Sequence, residues 1–300
     1  MNLRRTLLIT PASDGELVRK GRATDADVLF LDLEDAIPSE EKENARAAVV
    51  DHLTSELDAD DDVAVRINGV ETPWWYEDVI ETVSAAGATI DSLILPKVTG
   101  ERHLHAVDLL LKQVETNAGL DGDEVGLIPQ LESTAGINNA ISIARSVDRL
   151  TALMFGPGDY AASVGVRGAS GEPESGRRWE YARSRIVNAA REVGIQAIDG
   201  MYPETGDVEG FREACRRAQE LGFDGKTVVH PNQVTVANEI FLPSPEEIQR
   251  ARRIYESYTA SERDPHTTVK VDGRIIDEET FRMAEEIIER AQAAGELDDG

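Results

Sequence analysis

The sequence has little cysteine and little histidine, and both shortages exclude kinds of site. Cys215 is the only cysteine among 300 residues, so an intrachain disulfide framework and a cysteine-rich zinc site are excluded. There are five histidines. Four of them, His52, His103, His105 and His266, lie in predicted helices or loops without a convincing partner ligand, which argues against a histidine-based metal site.

Basic residues are scarce relative to acidic ones. The chain has 31 Lys and Arg against 57 Asp and Glu, a formal net charge of −26. A surface of that charge repels nucleic acid and anionic membranes, so neither is an expected partner. Much of the excess lies at 58–63, 120–126 and 296–300. We interpret it as a solvated surface adapted to high salt, as in halophilic proteins, with an acidic patch for a basic partner as the alternative.

Long apolar runs are absent as well. No segment reaches the roughly 18 apolar residues that cross a bilayer, and the N-terminal MNLRRTLLITPAS lacks the apolar core and cleavage site of a secretory signal. The sequence therefore predicts a soluble, cytoplasmic protein. With 41% hydrophobic residues, the chain can bury one compact catalytic core.

Eight short apolar runs alternate with longer segments of helical periodicity. This alternation is typical of βα units around a parallel sheet, and eight units predict an α/β fold of the TIM (β/α)8 barrel type. We expect the barrel at residues 1–243 and a C-terminal helical lid extension at 244–300. The eight runs are 6–10, 27–33, 63–67, 92–96, 125–131, 152–156, 195–199 and 226–230.

Local signals predict where several helices begin and end. Asp14 and Ser39 are predicted N-caps, and Gly119 is a predicted C-cap. After the eighth run the sequence predicts a helix, a short hairpin that turns at Asp272–Gly273, and a final helix.

In a TIM barrel, functional residues lie at the C-terminal ends of the strands. An Asp or Glu at such a place can also be a simple helix cap, and for Asp35 that interpretation is equally good. Arg66 must point into the barrel mouth or pair with a carboxylate, since an unpaired buried charge is costly. For His230 a structural role is preferred to a catalytic one. Polar residues at the predicted strand ends are Asp32, Glu34, Asp35, Arg66, Asn68, Pro96 with Lys97, Gln130, Glu132, Asp159, Asp199 and His230.

Glu132 and Asp159 form the best-defined pair of candidate ligands. They follow neighbouring runs of the predicted sheet, whose strands lie about 4.8 Å apart, so both carboxylates can reach one ion. Hard oxygen ligands favour Mg²⁺, with Mn²⁺ as the alternative, and such a site keeps coordination positions for substrate oxygens. The glycines of FGPGD (155–159) allow close approach of a ligand to the backbone. The pair therefore predicts chelation of an α-keto or α-hydroxy acid.

Several motifs spread over nearly the whole chain resemble the CitE-like branch of the HpcH/HpaI aldolase and citrate lyase superfamily. The resemblance implies a TIM barrel that makes or breaks carbon–carbon bonds in acyl-CoA esters or related substrates, with Mg²⁺, usually as a homotrimer or homohexamer. The motifs are DLEDA (32–36), VRIN (65–68), LPK (95–97), LEST-x-GI (131–137), FGPGDYAASVG (155–165), GFDGKTVVHPNQ (222–233) and FLPS (241–244).

The C-terminal segment narrows the resemblance to one branch. VDGRIID (271–277) is similar to the DGRMID-like lid pattern of members that act on malyl-CoA, β-methylmalyl-CoA or citramalyl-CoA. By that resemblance Asp277 is the acid/base residue, acting in the site of a neighbouring subunit. The lid favours a lyase on a free CoA thioester over the carrier-bound subunit of citrate lyase.

The same resemblance implies roles for the strand-end residues. Glu132 and Asp159 would bind Mg²⁺, and Arg66 would stabilise negative charge on the reacting oxygen. Glu34 and Asp35 would hold Arg66 and metal-bound waters.

The resemblance also implies a set of coenzyme A contacts. Arg5 and Lys20 match basic positions that meet CoA phosphates, and Pro96 and Lys97 of the LPK motif are assigned to CoA binding with them. The sequence departs from the family at Ala12, where a glycine is common, and this affects the phosphate contacts rather than the fold.

The predicted function is an Mg²⁺-dependent lyase that cleaves or condenses L-malyl-CoA or β-methylmalyl-CoA, with glyoxylate and acetyl-CoA or propionyl-CoA as products. A citramalyl-CoA lyase that releases pyruvate stays open, because one methyl group is worth only about 1–3 kcal/mol in a binding pocket. Also open are a citrate lyase β-subunit-like protein, a CoA-independent aldolase, a malyl-CoA thioesterase or malate synthase, and a non-catalytic CoA-binding protein.

Overall fold

A computed structural model describes residues 3–57, 61–120, 125–166, 178–261 and 269–297 of the chain. These residues divide into two units, one of residues 4–238 and one of the described residues from 239 onward together with Leu3. The boundary expected from the sequence lies after residue 243. Much of the three acidic stretches, namely residues 58–60, 121–124 and 298–300, lies outside the described residues, as does His266.

The first unit is a closed barrel of eight parallel strands in sequential order, in which the first strand pairs with the second and the eighth. All eight predicted runs form strands, so the predicted TIM barrel is confirmed. The strands are β1 Thr6–Pro11, β2 Val28–Asp32, β3 Val63–Arg66, β4 Ser92–Leu95, β5 Gly126–Leu131, β6 Ala152–Phe155, β7 Gln196–Asp199 and β8 Gly225–Val228.

The strands are apolar along most of their length because both faces of the sheet are covered. Every residue of β2, VLFLD, is buried, as expected for a parallel sheet with side chains packed inside and helices outside. Inward-facing side chains form an apolar cluster inside the barrel, so this part of the interior is a packed core. This cluster contains Leu7, Val28, Phe30, Ala64, Ile94, Ile128, Ala152, Met154 and Ile198.

The barrel helices follow the strands in the expected alternation. Asp14 caps the first helix, accepting hydrogen bonds from the Glu16 and Leu17 amides, and Gly119 ends the fourth at φ +77°, so both predicted caps are confirmed. No described helix is long and apolar enough to cross a bilayer. The helices are α1 Gly15–Arg22, α2 Lys42–Ser55, α3 Trp75–Ala86, α4 Glu101–Ala118, α5 Thr134–Asn138, α6 Ala140–Ala144, α7 Pro157–Ser163, α8 Glu180–Val193, α9 Val208–Leu221 and α10 Pro231–Phe241.

The predicted N-cap at Ser39 is wrong. Ser39–Glu41 form a short 3₁₀ helix, and α2 begins at Lys42 without a side-chain cap. The ammonium of Lys42 donates to the carbonyl oxygens of Leu33 and Glu34 at 2.8 and 2.6 Å, so this lysine is directed back to the end of β2.

The second unit contains α11 (Pro245–Ser261), a hairpin of β9 (Lys270–Val271) and β10 (Arg274–Ile275), and α12 (Glu278–Ala293). The predicted turn at Asp272–Gly273 is confirmed. Both residues have positive φ, +51° and +78°, as a two-residue type I′ hairpin turn requires. The unit has its own apolar cluster, which includes Ala251, Ile254, Val269, Val271, Ile276 and Ala284.

Candidate active site

A cavity of about 450 Å³ opens among the C-terminal ends of the barrel strands. Its apolar lining includes Ile9, Phe30, Met154, Phe155, Met201 and Val229. Its polar and charged lining includes Asp32, Asp35, Arg66, Gln130, Glu132 and Asp159. Four of the predicted site residues, Asp35, Arg66, Glu132 and Asp159, therefore line one cavity, at the end of the barrel where the sequence placed them.

Arg66 is fixed mainly by Asp32. Its Nε and Nη2 groups donate to the two carboxylate oxygens of Asp32, both at 2.7 Å, and the guanidinium carbon lies 5.4 Å from the centroid of the Phe30 ring. Burial alone would lower the pKa of Arg66, but the hydrogen bonds and charge of Asp32 outweigh burial and raise it. Arg66 is therefore a permanently charged group with its Nη1 not engaged by Asp32.

Glu34 and Asp35 interact with Arg66 as predicted, but through charge and not through hydrogen bonds. Their carboxylates lie 3.8 and 3.7 Å from Arg66 Nη1, beyond hydrogen-bond distance, so they contribute charge and do not fix the guanidinium. The alternative in which Asp35 caps a helix is also wrong, because the next helical turn begins at Ser39.

Asp32 is a site residue whose role the sequence analysis missed. It is paired directly with Arg66 in the register of β2 and β3, and its carboxylate also accepts from the amides of Glu34 and Ala36 at 2.9 and 3.2 Å. It therefore shapes the turn that carries Glu34 and Asp35. The signal was present, since an acidic and a basic residue end two consecutive buried runs.

Glu132 follows β5 and is only 4% exposed. Its oxygens accept from the Lys97 amide at 2.6 Å and from Gln130 Nε2 at 2.5 Å. Burial nevertheless raises the pKa of Glu132 to about 7, because these two hydrogen bonds do not compensate for the lost water. A cation beside this carboxylate would restore its ionised form.

Gly156, directly after β6, must lack a side chain because of the position of Glu132. A Cβ at residue 156 would lie 2.4 Å from Glu132 Oε2, closer than real contacts allow. We expect Gly156→Ala to displace the carboxylate and to weaken Mn²⁺ binding by about 10–100-fold, as measured by titration. Gly206→Ala is the matched control, because a Cβ there meets nothing within 4 Å and residue 206 is not part of the cavity lining. Equal Mn²⁺ affinity in the two variants would contradict the assignment of Glu132.

Asp159 is in the first turn of α7, three residues after the strand-end glycine, and is 47% exposed. Its Oδ2 lies 3.8 Å from Lys97 Nζ, while the amide of the same lysine contacts Glu132. The negative charge of Asp159 also contributes to the raised pKa of Glu132, so the two carboxylates act on each other across the cavity. The structure thus brings both predicted metal ligands together.

Lys97, which is predicted to contact coenzyme A, directs its ammonium at carboxylates of the site. Its ammonium hydrogen-bonds to Glu34 Oε1 and lies 3.5 Å from Asp35 Oδ1. Burial raises the pKa of Glu34 despite this hydrogen bond. Burial would also raise the pKa of Asp35, but the charges of Arg66 and Lys97 outweigh it and lower that pKa. Lys97 is therefore part of the carboxylate cluster.

The carboxylate oxygens at the cavity fit a hard divalent cation such as Mg²⁺. Glu132 and Asp159 offer carboxylate oxygens, and the buried Glu34 Oε2 has no hydrogen-bond partner, as expected for an atom that accepts from an additional water. Within the described part of the chain, no group of three or more His, Cys, Asp or Glu is placed to hold a metal. The protein would therefore supply two ligands and leave the other positions to water or substrate.

The remaining predicted coenzyme A residues do not join this cavity. Arg5 precedes β1 and so lies at the opposite, N-terminal end of the barrel, where it forms a bidentate pair with Asp27 at 2.7 and 2.9 Å. Lys20 is exposed on α1 and pairs with Glu16 at 2.6 Å. Pro96 is buried in the turn after β4, directly before the cluster lysine. The structure therefore gives Arg5 and Lys20 acidic partners away from the cavity.

Asp199 has a structural environment and not a catalytic one. It is completely buried and pairs with Arg183 Nε at 2.9 Å and with Lys226 Nζ at 2.5 Å.

Asp277 belongs to the second unit, where it caps α12 and accepts from the amide and hydroxyl of Thr280 at 2.9 and 2.6 Å. These hydrogen bonds lower the pKa of Asp277, so its carboxylate is ionised at neutral pH.

Comparison with known proteins adds family evidence to this geometry. A family model described as HpcH/HpaI aldolase/citrate lyase matches residues 5–231. The chain is 35% identical to an L-malyl-CoA/beta-methylmalyl-CoA lyase of Cereibacter sphaeroides, over 96% of this chain and 94% of that protein. It is 30% identical to the citrate lyase subunit beta of Escherichia coli, over 97% and 94%. A crystal structure of CitE from Mycobacterium tuberculosis, in complex with magnesium, acetoacetate and coenzyme A, matches with a TM-score of 0.73 and 29% identity, over 97% and 98%.

Proposed function

The chain belongs to the HpcH/HpaI aldolase/citrate lyase family and is an enzyme of the lyase class, and from that premise we propose that it is an Mg²⁺-dependent lyase that cleaves or forms a carbon–carbon bond in a 3-hydroxyacyl-CoA. The proposed substrates are L-malyl-CoA and β-methylmalyl-CoA, which give glyoxylate with acetyl-CoA or propionyl-CoA. The 35% identity to a lyase named for both substrates, over nearly the whole of each chain, supports this choice. Citramalyl-CoA, which would give pyruvate, is the alternative substrate.

One observation carries the proposal: a fixed guanidinium and two carboxylates face the same cavity. Arg66 is held by Asp32, and Glu132 and Asp159 follow later strands of the barrel and line the same cavity. Bound at these carboxylates, Mg²⁺ would polarise the oxygens of a 2-hydroxy or 2-oxo acid as a Lewis acid. The Arg66 guanidinium and a bound Mg²⁺ would be two separate positive charges in one cavity. This arrangement suits a substrate whose cleavage moves negative charge from one of its ends to the other.

The chain's own residues account for the proton and the charge. We infer that Asp277 takes the proton of the substrate hydroxyl, which becomes a carbonyl. The bond to the carbon next to the thioester then breaks, and its electron pair passes into the thioester enolate. Arg66 stabilises the enolate oxygen through Nη1, because Asp32 engages its other donors. Asp277, now protonated, returns this proton to the enolate carbon, and the acyl-CoA product is released.

Asp277 acts, in this proposal, from a lid that closes the site of a neighbouring subunit. The support is the resemblance of the VDGRIID segment to the lid pattern of the family. Within this segment a type I′ turn and a capped helix hold Asp277 between β10 and α12. From the resemblance to the CitE-like branch we propose a homotrimer or homohexamer, and from the net charge of −26 we propose a surface adapted to high salt. Closure of the lid would exclude water and protect the enolate.

A product assay tests the proposal. We expect cleavage of malyl-CoA and β-methylmalyl-CoA at molar KCl with Mg²⁺, with the glyoxylate trapped by phenylhydrazine. EDTA is expected to abolish the activity, and excess Mg²⁺ to restore it. Pyruvate from citramalyl-CoA alone would move the assignment to that substrate, and free malate would indicate a thioesterase. Coenzyme A binding without turnover of any of the three esters would contradict a lyase.

A further inference from the structure

Lys97 has an unusual backbone conformation, and a lysine that only formed a surface salt bridge would not require it. Its φ is +55°, in the left-handed region that a non-glycine residue occupies only at a cost in free energy. Glycine would make the same turn without that cost. The lysine side chain returns over the site although it is 50% exposed, so the ammonium is the feature that requires an explanation.

The ammonium of Lys97 lies among three carboxylates. It hydrogen-bonds to Glu34 Oε1, and its nitrogen is 3.5 Å from Asp35 Oδ1 and 3.8 Å from Asp159 Oδ2. The amide of the same residue donates to Glu132 at 2.6 Å. Lys97 therefore contacts both carboxylates that fit a divalent cation, one through its side chain and the other through its backbone.

Among the contacts given above, the Lys97 ammonium is the positive charge nearest to Asp159. Arg66 is committed to Asp32 by two hydrogen bonds. An ammonium 3.8 Å from Asp159 repels any second cation that this carboxylate binds. A chelating anion offsets this repulsion, because the anion brings negative charge to the same place.

We propose that Lys97 is a positioning residue that keeps the affinity of the free protein for divalent cations low, so that the cation binds tightly only together with a chelating 2-oxo acid anion. The inference rests on the proposed function, since it takes Glu132 and Asp159 as the cation ligands. The affinities for cation and acid are then coupled, and each ligand raises the affinity for the other by the same factor.

Mn²⁺ titration of the metal-free protein tests this coupling, with the electron paramagnetic resonance signal of free Mn²⁺ as the readout. Oxalate serves as the acid, at concentrations too low to complex Mn²⁺ in solution. We expect oxalate to tighten Mn²⁺ binding at least tenfold in the wild type. Lys97→Met and Lys97→Gly should bind Mn²⁺ at least tenfold more tightly without oxalate, and oxalate should then add less than about threefold. Lys97→Arg should behave like the wild type.

Lys112→Met is the matched control for the change in net charge. Its side chain is 51% exposed and pairs with Asp108 on the same helix, so its loss should leave Mn²⁺ binding unchanged. Weaker or unchanged Mn²⁺ binding in the Met and Gly variants, with the oxalate effect retained, would overturn the inference. An absence of Mn²⁺ binding to the wild type, with or without oxalate, would overturn the proposed metal site as well. A protein that shows the expected titrations but no lyase activity would contradict only the proposed function.

Discussion

Glu132→Gln is expected to lower lyase activity by about 10³-fold and to abolish measurable Mn²⁺ binding. The amide has nearly the shape of the carboxylate but lacks its negative charge, and a divalent cation without charged ligands loses its Lewis-acid role. Steady-state kinetics and Mn²⁺ titration of the same preparation measure both effects. Glu115→Gln, at a carboxylate that is also buried but pairs with Arg149 away from the cavity, is the control for loss of a buried charge. Normal Mn²⁺ affinity in Glu132→Gln would show that the cation, if any, binds elsewhere.

Glu132→Gln should also change how the stability of the metal-free protein depends on pH. The pKa of Glu132 is raised from 4.5 to about 7 in the folded, metal-free protein. A raised folded pKa adds stability that is fully present below pH 4.5 and is lost as the pH rises through 7, a difference of about 3 kcal/mol. Glutamine does not titrate. Between pH 4.5 and 7, the free energy of unfolding of the metal-free wild type should therefore fall relative to that of Glu132→Gln. Urea denaturation of both proteins across this pH range measures the difference, and the same pH dependence in both would contradict the prediction.

Asp277→Asn is expected to lower kcat by about 10²–10⁴-fold while Mn²⁺ binding and the unfolding temperature stay unchanged. Loss of a general base costs about this much, and asparagine retains the N-cap of α12 because its side-chain oxygen still accepts from the Thr280 amide. Measurement of kcat and KM separately distinguishes a chemical role from a binding role.

The hairpin offers a close control for this variant. Asp272→Asn changes another exposed carboxylate five positions earlier, in a left-handed conformation that asparagine tolerates. It should leave kcat within about twofold. Mixed oligomers of Asp277→Asn and Arg66→Lys test action across subunits, because one site in such a mixture can receive both intact residues. Full activity of Asp277→Asn would remove this residue from the mechanism, and no regain of activity in the mixture would argue against a lid that acts on a neighbour.

The barrel, and the end of it that carries the site, could be predicted from the sequence. Eight apolar runs between amphipathic segments leave few folds besides a parallel barrel, and polar residues after the runs then share one face. The position of Glu132 and Asp159 at one cavity was predicted in this way, because the strand order follows the order of the chain. The family and the enzyme class were also predicted, from motifs rather than from physical reasoning, and both are confirmed by the comparisons.

The details that were not predicted depend on register, backbone conformation and strand direction. Asp32 was recognised as Arg66's partner only when the pairing of β2 with β3 was known. The left-handed conformation of Lys97 has no signal in the residue type, since lysine rarely adopts it. Strand direction alone argues against the predicted coenzyme A contact of Arg5, because a residue before the first strand lies at the end of the barrel that is remote from the site.

The bidentate pair of Asp32 and Arg66 constrains how these two positions can change. Either replacement alone leaves a buried charge without its partner, and such a loss costs about 3–5 kcal/mol, whereas joint replacement by apolar residues is often neutral or stabilising. An activity loss in an Arg66 variant therefore mixes damage to the chemistry with damage to the barrel. A variant with both charges removed separates the loss of chemistry from the loss of stability. The same pair of replacements is a route by which a descendant of this chain could keep its fold after losing its reaction.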